Sequence, residues 1–572
     1  MRTKLHTLLV GTSCALLPLA AFADISFLSG VSLPNGGEIT SYATDGSVLV
    51  TDSIGGGSAN HAAQSYTLTS GGTLTAGAAI SLNSVFGTAA DINSVSSVLN
   101  DVRGFGVATI IPTVNTEGSL GRIAIFDKSN GSILKTLDVG YHPDSVSMTP
   151  DGTKLLIVNE GEFISTSADA TFARPGSVSV IDISGVTAGN YTTALAGLTS
   201  GAVSTYDFTA GNLGSGVTID GLRNARLDTL TTKTANAGDI EPEYITATNT
   251  TAYVTLQENN AIAALDLATG KYTAIHDLGS ITKTIDASDR DGASSGTSIS
   301  INDVVRGLPM PDTLTKFERE GSTFLVTANE GDARPDDGDI ARGAASAIDI
   351  VDDGSGDQIY TGGNVGNTGI GRLSILKDQG DTDGDGLIEN PTMMGTRSFS
   401  IWNAETGALV FDSASMIEEF VAANDPTTFN INSGNLAAKD TRSDDKGPEV
   451  EALAFGSIDG KDFVFVGAER QNGIFQFDIT DLENVFIAGY YNPISGTDDS
   501  GGAFISPESI VFIGAGDNPT GQNLLLVGFE GTGGNGSLGV FAVTSAIPEP
   551  SAFAALAGLG ALGLSVMRRR RA

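Results

Sequence analysis

The stretch HPDSVSM (residues 142–148), with the turn TPDG (149–152) and the apolar run LLIVNE (155–160), decides the fold. The alternation in the first segment predicts a half-buried strand, and the apolar run predicts a second, fully buried strand. A Pro-Asp-Gly sequence between them is typical of a tight reversal. Asp144 stands near the start of the first strand and Glu160 at the end of the second. The unit is therefore predicted to be an antiparallel hairpin with an acid at each end.

The same unit recurs along the chain. Further copies run over 241–258, 311–330, 448–469 and 507–530, and weaker ones lie at 38–52 and 93–117. A third strand follows in several copies, at 176–182, 260–266, 473–478 and 536–543, and a fourth is visible at 133–137. Four antiparallel strands repeated about seven times indicate an all-β fold, a β-propeller of the WD40/YVTN-like kind with four-stranded blades. The alternative is an array of β-sandwiches.

Two ranges break the regular spacing of the repeats. Residues 185–240 and 335–446 are long, polar and rich in glycine or aspartate. Connections of that length are uncommon in a compact domain unless they are functional or mobile. We therefore expect a propeller domain over 24–545 with insertions at 185–240 and 335–446.

The acids of the repeats form pairs. In an antiparallel hairpin the start of one strand lies beside the end of the other, and the innermost strands of a propeller line its central channel. The hairpins therefore predict an acidic ring at one mouth of the channel, a site for a divalent cation or a substrate. The alternative is that these acids close turns through backbone hydrogen bonds. The pairs are Asp144 with Glu160, Glu243 with Glu258, Asp312 with Glu330, Glu449 with Glu469, and Glu508 with Glu530.

A second acidic motif, DTDGDGLIE, covers residues 381–389. Its carboxylates stand at positions 1, 3, 5 and 9 of a calcium-loop pattern, glycine stands at position 6, and the residue at position 7 offers a carbonyl. The sequence thus predicts a structural Ca²⁺ site, although Thr392 replaces the usual bidentate glutamate at position 12. The alternative is a plain Asp-Gly turn. The predicted ligands are Asp381, Asp383, Asp385, Leu387 and Glu389.

Both ends of the chain carry targeting signals. Residues 1–23 have a basic start, a short apolar stretch and an Ala-Phe-Ala cleavage site, which indicates a secretory signal peptide. Residues 546–572 hold a Pro-Glu-Pro motif, an apolar run over 552–567 and a terminal arginine cluster. The tail resembles the PEP-CTERM sorting signal of Gram-negative-type cells. The residues that carry this resemblance are Pro548, Glu549, Pro550, Arg568, Arg569, Arg570 and Arg571.

The resemblance of the tail implies processing by an exosortase-type enzyme. The apolar run makes a short membrane helix whose arginines stay on the cytoplasmic side, so the tail inserts transiently into the inner membrane. The expected destination after processing is the cell surface, the outer membrane or the extracellular space.

Composition excludes some partners. The predicted signals hold six of the 31 basic residues and one of the 67 acidic residues, so residues 24–545 carry 66 acidic against 25 basic side chains. A chain with that charge does not bind nucleic acid through general electrostatics, but it attracts divalent cations. Its one cysteine, Cys14, lies within the predicted signal peptide, so no disulfide is expected.

Several long motifs together resemble a known family. They include EPEYI (241–245), TLQENNA (255–261), TANEGDAR (327–334) and RSDDKGPE (442–449). With them the chain resembles the choice-of-anchor I domain family, which is related to mesenchyme-specific cell-surface glycoproteins. The resemblance implies a propeller, an extracellular placement and a variable C-terminal anchor. Some relatives carry alkaline-phosphatase names.

These observations favour a surface or matrix protein that binds calcium together with an extracellular polysaccharide or a surface protein. The alternative is a metal-dependent, alkaline-phosphatase-like phosphoesterase acting at the acidic ring. The sequence has no Gly-x-Ser-x-Gly elbow and no phosphate-binding glycine loop, and its histidines lack zinc-ligand spacing. No catalytic residue is predicted.

Overall fold

The computed structural model describes residues 24–33, 36–52, 60–113, 119–161, 174–223, 237–292, 297–333, 340–342, 369–381, 388, 390–494, 504–532 and 535–545. Within these ranges, seven four-stranded antiparallel sheets form the blades of a β-propeller, here numbered 1 to 7 along the chain. The first strands of neighbouring blades contact one another, and the last of these contacts, between blades 7 and 1, closes the ring. The predicted β-propeller is confirmed.

The strands are grouped by their place in the blade, from blade 1 to blade 7. The first, innermost strands are Thr40–Tyr42, Ile92–Asn100, Pro143–Met148, Pro242–Ala247, Leu314–Arg319, Val450–Ile458 and Pro507–Ile513. The second strands are Ser47–Asp52, Phe105–Pro112, Lys154–Asn159, Thr251–Leu256, Ser322–Ala328, Lys461–Ala468 and Leu524–Thr532. The third strands are Ala62–Leu68, Arg122–Asp127, Ser177–Asp182, Ala261–Asp266, Phe399–Asn403, Gly473–Asp478 and Asn535–Val543. The fourth strands are Leu74–Ser81, Ile133–Asp138, Val203–Asp207, Lys271–Asp277, Leu409–Asp412, Phe486–Tyr491 and Ile25–Leu33.

The second and third strands supply most of the core. They are apolar on both faces because each blade packs between two neighbours, which explains unbroken runs such as 155–158 and 524–527. Between blades 6 and 7 the packing is aromatic, with the stacked rings of Phe465 and Phe512 centred 5.5 Å apart. Tight turns join first to second strands, and at Asp459 and Gly460 both φ angles are positive, as a two-residue hairpin turn requires.

Blade 7 is closed by the N-terminal strand. Ile25–Leu33 pairs antiparallel with Asn535–Val543, so residues from the two ends of the described chain share one sheet. The Asp24 backbone N–H donates to Thr544 Oγ1 at 3.0 Å. Ser545 Oγ donates to Asp459 Oδ2 at 2.7 Å, on the face where first strands end and second strands begin. The chain therefore leaves the propeller on the face opposite the starts of the first strands.

The two predicted insertions contain strands of the propeller. Residues 185–240 include the fourth strand of blade 3 together with the short helix Tyr191–Ala196. Residues 335–446 include the third and fourth strands of blade 5 and the helix Met416–Asn424. These blade strands are short and flanked by long polar connections, so the repeat pattern alone did not separate them from the insertions.

A small sheet stands outside the blades, between blades 4 and 5. It consists of Ile281–Ile285 and Asp303–Leu308, and Thr392–Met394 joins it in parallel orientation. A two-stranded sheet, Ile340–Arg342 with Ser374–Leu376, contacts it, since Ser374–Leu376 lies against Thr392–Met394. Trp402 is buried in blade 5, and its indole N–H donates to Thr327 Oγ1 at 2.9 Å.

Candidate functional site

The carboxylates of the repeats converge where the first strands begin. At the start of blades 3, 4, 6 and 7 the hairpin register skips in a β-bulge, and an acid occupies the bulge. Such bulges redirect a side chain at a sheet edge. The bulged acids are Asp144, Glu243, Glu451 and Glu508.

Blades 1 and 5 have an acid at the equivalent place. Asp312 precedes the first strand of blade 5, and its backbone N–H donates to the Ala328 carbonyl at 3.0 Å. Glu38 precedes the first strand of blade 1 in the same way. At the ends of second strands stand Glu160, Glu258, Glu330, Glu469 and Glu530, as the sequence predicted. We call the acidic mouth the set Glu38, Asp144, Glu160, Glu243, Glu258, Asp312, Glu330, Glu451, Glu469, Glu508 and Glu530.

Blade 6 carries one acid more than the predicted pair of Glu449 with Glu469. The pair is adjacent, since the Glu449 carbonyl accepts the Glu469 N–H at 2.7 Å. Glu449 precedes the strand with a φ of 58°, however, and does not occupy the bulge as the acids that follow a proline do in blades 3, 4 and 7. Glu451 takes the bulge position. A register shift of two residues, set by the fold rather than by the proline, explains the difference.

Glu449 lies among cations. Its carboxylate is 2.5 Å from Lys446 Nζ and also 2.5 Å from Arg442, with Arg470 Nε at 3.4 Å. Burial alone would raise the pKa of Glu449, but these three cations lower it to about 2. Glu449 is therefore ionised and binds three cations, Arg442, Lys446 and Arg470, which we call the basic cluster. It holds Lys446 and Arg470 beside the acidic mouth.

The basic cluster reaches only part of the mouth. Lys446 Nζ lies 2.5 Å from Glu330 Oε1, and Arg470 lies 2.5 Å from Glu469 Oε1. On the opposite side, His142 Nδ1 lies 2.9 Å from Glu160 Oε2. No described residue forms an ion pair with the carboxylates of Asp312, Glu451 or Glu508.

Four of the mouth residues are deeply enclosed: Glu243, Glu258, Asp312 and Glu469 are 8%, 6%, 6% and 2% exposed. Glu258 Oε2 has no hydrogen-bond donor within the described structure. Burial raises the pKa of Glu243 well above its usual range, and the charges of Glu160 and Asp144 raise it further. Burial and Glu160 act in the same direction on the pKa of Glu258. Burying these carboxylates close together costs free energy, and a bound cation would reduce that cost.

Further carboxylates of the mouth show the same effect. Burial, followed by Glu530 and Asp144, raises the pKa of Glu38 to about 7. Burial and Glu160 raise the pKa of Asp144 to about 7, although His142 opposes them. Burial first, and then neighbouring carboxylates, raises the pKa of Asp312, Glu451, Glu469 and Glu508 well above the usual range. The mouth is one electrostatically coupled unit.

Sequence reasoning missed several members of this site. Glu451 and Glu38 had a signal, an acid near a strand start, but their register was not evident. Lys446 and Arg442 come from the segment before blade 6, and only the fold brings them to the mouth.

Other predicted residues lie elsewhere. Asp381 is described, but Asp383, Asp385, Leu387 and Glu389 lie outside the described residues, and so does Arg334, which follows Glu330 in the sequence. Another acidic tract, at 286–292, makes structural contacts: Asp286 Oδ2 accepts the Ser300 N–H at 2.6 Å, and Asp289 pairs with Arg372 at 2.8 Å.

Residues 38–482 match the choice-of-anchor I domain, and this stretch holds every residue of the acidic mouth except Glu508 and Glu530. The chain belongs to the choice-of-anchor I domain family. Residues 546–571 match the PEP-CTERM protein-sorting motif, which confirms the predicted sorting signal and implies processing by an exosortase-type enzyme. Family and motif together indicate an exported, cell-surface β-propeller protein.

Relatives of this choice-of-anchor I protein include two animal proteins. Gigasin-3a of Magallana gigas is 30% identical over 194 residues, which cover 32% of this chain and 68% of that protein. The mesenchyme-specific cell surface glycoprotein of Strongylocentrotus purpuratus is 25% identical over 227 residues, 33% of this chain. The aligned part spans only 28% of the length of the S. purpuratus protein.

Solved propellers are similar only in a general way. The β-propeller domain of Myceliophteria thermophila Cps50 (Swd1) has a TM-score of 0.41 at 8% identity, covering 91% of this chain and 100% of that domain. The periplasmic gluconolactonase of Pseudomonas aeruginosa has a TM-score of 0.37 at 11% identity, covering 80% and 85%. Neither likeness says anything about the function of the choice-of-anchor I mouth.

The described residues include no helix of the length and apolar character needed to cross a membrane. The predicted helix at 552–567 belongs to the sorting tail, which lies outside the described residues.

Proposed function

We propose that this choice-of-anchor I protein binds divalent cations, Ca²⁺ in particular, at its acidic mouth. The observation that carries the proposal is the enclosure of Glu243 and Glu258 among other carboxylates, with no ion pair to Glu243 and no donor to Glu258 Oε2 in the described structure. Turn-closing acids would instead be satisfied by backbone amides.

The chemistry of the mouth favours calcium over other metals. Apart from His142 at its edge, the mouth offers oxygen ligands only, and Ca²⁺ takes six to eight oxygens in flexible geometry. Zinc and copper prefer sites with histidine or cysteine ligands, and magnesium keeps several waters and uses few carboxylates. The predicted loop at 381–389 is a second calcium candidate with a structural role, separate from the mouth.

Calcium bound at the mouth would also allow the protein to bind an acidic partner. The chain carries a large excess of acidic residues, which repels acidic polymers such as the polyuronates of extracellular matrices. A cation held by the mouth with open coordination positions reverses that repulsion locally. We therefore propose that the partner is an acidic extracellular polysaccharide that is bound through the metal.

Calcium binding is tested with the purified mature protein after chelation and dialysis. Isothermal titration with CaCl₂ is expected to show binding that Glu243→Gln weakens at least tenfold, while Glu483→Gln, which removes an exposed acid far from the mouth, leaves it unchanged. Asp383→Asn combined with Asp385→Asn removes the contribution of the loop. If calcium binds only when the loop is intact, the mouth is not a calcium site.

One observation keeps the phosphoesterase alternative in view. Arg470 and Lys446 lie beside carboxylates that could hold metals, and phosphoryl transfer needs such positive charge around the transferred group. Release of p-nitrophenol from its phosphate ester, with and without Ca²⁺, separates the two functions. Metal-dependent turnover that Glu330→Gln abolishes would establish an enzyme, and the absence of turnover across several phosphoesters would leave the binding role.

A further inference from the structure

Two groups of three carboxylates in the acidic mouth share one residue. Asp312, Glu330 and Glu451 each place an oxygen within 4.8 Å of the others, and Glu451, Glu469 and Glu508 do the same. Oxygens on opposite sides of a calcium ion are separated by about 4.8 Å, twice the metal–oxygen distance. Each group therefore has the dimensions of one coordination sphere.

Glu451 reaches both groups because of its place in the fold. It occupies the bulge at the start of blade 6, between the first strands of blades 5 and 7. Asp312 and Glu330 come from blade 5, and Glu508 comes from blade 7. Two adjacent cation positions with a common carboxylate follow from this order of blades.

In Glu451, the residue that both groups share, Oε2 is enclosed and has no hydrogen-bond donor within the described structure. Other oxygens of the groups do have donors, since Lys446 and Gln257 donate to Glu330 and Thr313 donates to Asp312. An enclosed carboxylate oxygen without a donor loses its hydration with nothing in return. A ligand that replaces the lost water is therefore expected at this place.

The fixed cations leave the centre of the mouth uncompensated. Arg442 and Arg470 contact Glu449, and Lys446 bridges Glu449 and Glu330. Among the described residues, none forms an ion pair with Glu451 or Glu508. The basic cluster thus borders the shared carboxylate without neutralising it.

We propose that the acidic mouth holds two divalent cations side by side, bridged by Glu451. Asp312 and Glu330 complete one position, Glu469 and Glu508 complete the other, and water fills the remaining coordination. The inference rests on the proposed cation binding and adds its stoichiometry and the bridging residue. Bridged pairs of this kind have a metal–metal distance of about 4 Å.

Manganese provides the test, because it takes the same oxygen ligands and two bridged Mn²⁺ ions give an exchange-coupled electron paramagnetic resonance spectrum. The mature protein carrying Asp383→Asn and Asp385→Asn is stripped of metal and titrated with MnCl₂. We expect two bound ions and a coupled spectrum. Glu451→Gln is expected to abolish the coupling and to retain at most one ion.

Two further variants control the experiment. Glu530→Gln removes a mouth carboxylate outside both groups and is expected to keep the coupled spectrum. Glu508→Gln removes a ligand of one position only, and it replaces Glu451→Gln if that variant does not fold by circular dichroism. Binding of isolated ions, with a spectrum that Glu451→Gln leaves unchanged, overturns the bridged pair but not the proposed function. No binding of Mn²⁺ or Ca²⁺ at all overturns both.

Discussion

Replacement of Glu38 by glutamine is expected to stabilise the metal-free protein, and by more at high pH than at low pH. Glu38 lies at the rim of the acidic mouth, and burial, Glu530 and Asp144 raise its pKa from 4.5 to about 7. A carboxyl whose pKa is raised on folding favours the folded state when protonated. That contribution is fully present below about pH 4.5 and is lost as the pH rises through about 7.

The size of the effect follows from the same pKa. Above pH 7, ionised Glu38 costs the folded state about 3 kcal/mol, because one pKa unit corresponds to about 1.4 kcal/mol. At pH 5 the cost is about 1 kcal/mol, since most of the folded protein still carries the proton. Glu38→Gln, which keeps the shape and removes the charge, is expected to recover these amounts.

The assay is urea denaturation in the presence of a chelator at pH 5 and at pH 8. Glu483→Gln serves as the matched control, since it makes the same substitution at an exposed position and is expected to change stability at neither pH. Saturating Ca²⁺ at pH 8 is expected to shrink the gain, because the metal then compensates the charge. Destabilisation by Glu38→Gln, or an equal effect at both pH values, would refute the claim that buried, mutually repelling carboxylates in the mouth destabilise the metal-free fold.

Three further outcomes follow from the structure. Calcium affinity is expected to rise between pH 5 and pH 8, because protons held by Asp144 at a pKa of about 7 compete with the metal and are released when it binds. Calorimetry in buffers of different ionisation enthalpy measures the proton release, and a pH-independent affinity would contradict the prediction. Lys446→Met is expected to cost about 3 kcal/mol or more at pH 7, because it leaves Glu330 and Glu449 without their shared cation; an unchanged urea midpoint would show that the bridge contributes nothing. Deletion of residues 24–33 is expected to leave a trypsin-sensitive protein that a synthetic peptide of the same sequence protects; full resistance without the peptide would mean that closure of blade 7 is dispensable.

The fold was predictable because its repeating unit is local. The hairpin over 142–160 contains its own alternation, turn and buried run, and each copy could be recognised independently. The strand 473–478 was predicted with the bounds that the structure shows. The third strand of blade 5 was not assigned to the repeat, since Phe399–Asn403 lies far along the chain from its partner Ser322–Ala328. Long intervening segments remove the sequence proximity on which repeat detection depends.

The candidate site was predictable only to the level of its hairpins. The ends of the second strands were assigned correctly because a buried run fixes where such a strand stops. Strand starts were less certain, since a bulge inserts a residue without a distinct sequence signal, and Glu451 was missed for that reason. The cations Lys446 and Arg442 depend on how the segment before blade 6 folds back, which no local pattern encodes.

Closure of blade 7 also determines on which face of the propeller the described chain ends. The last strand runs away from the acidic mouth, and Ser545 is bonded to the Asp459 turn on the far side. A tether attached at Ser545 would therefore approach the propeller from the face opposite the acidic mouth, and the mouth would stay clear of the attachment point.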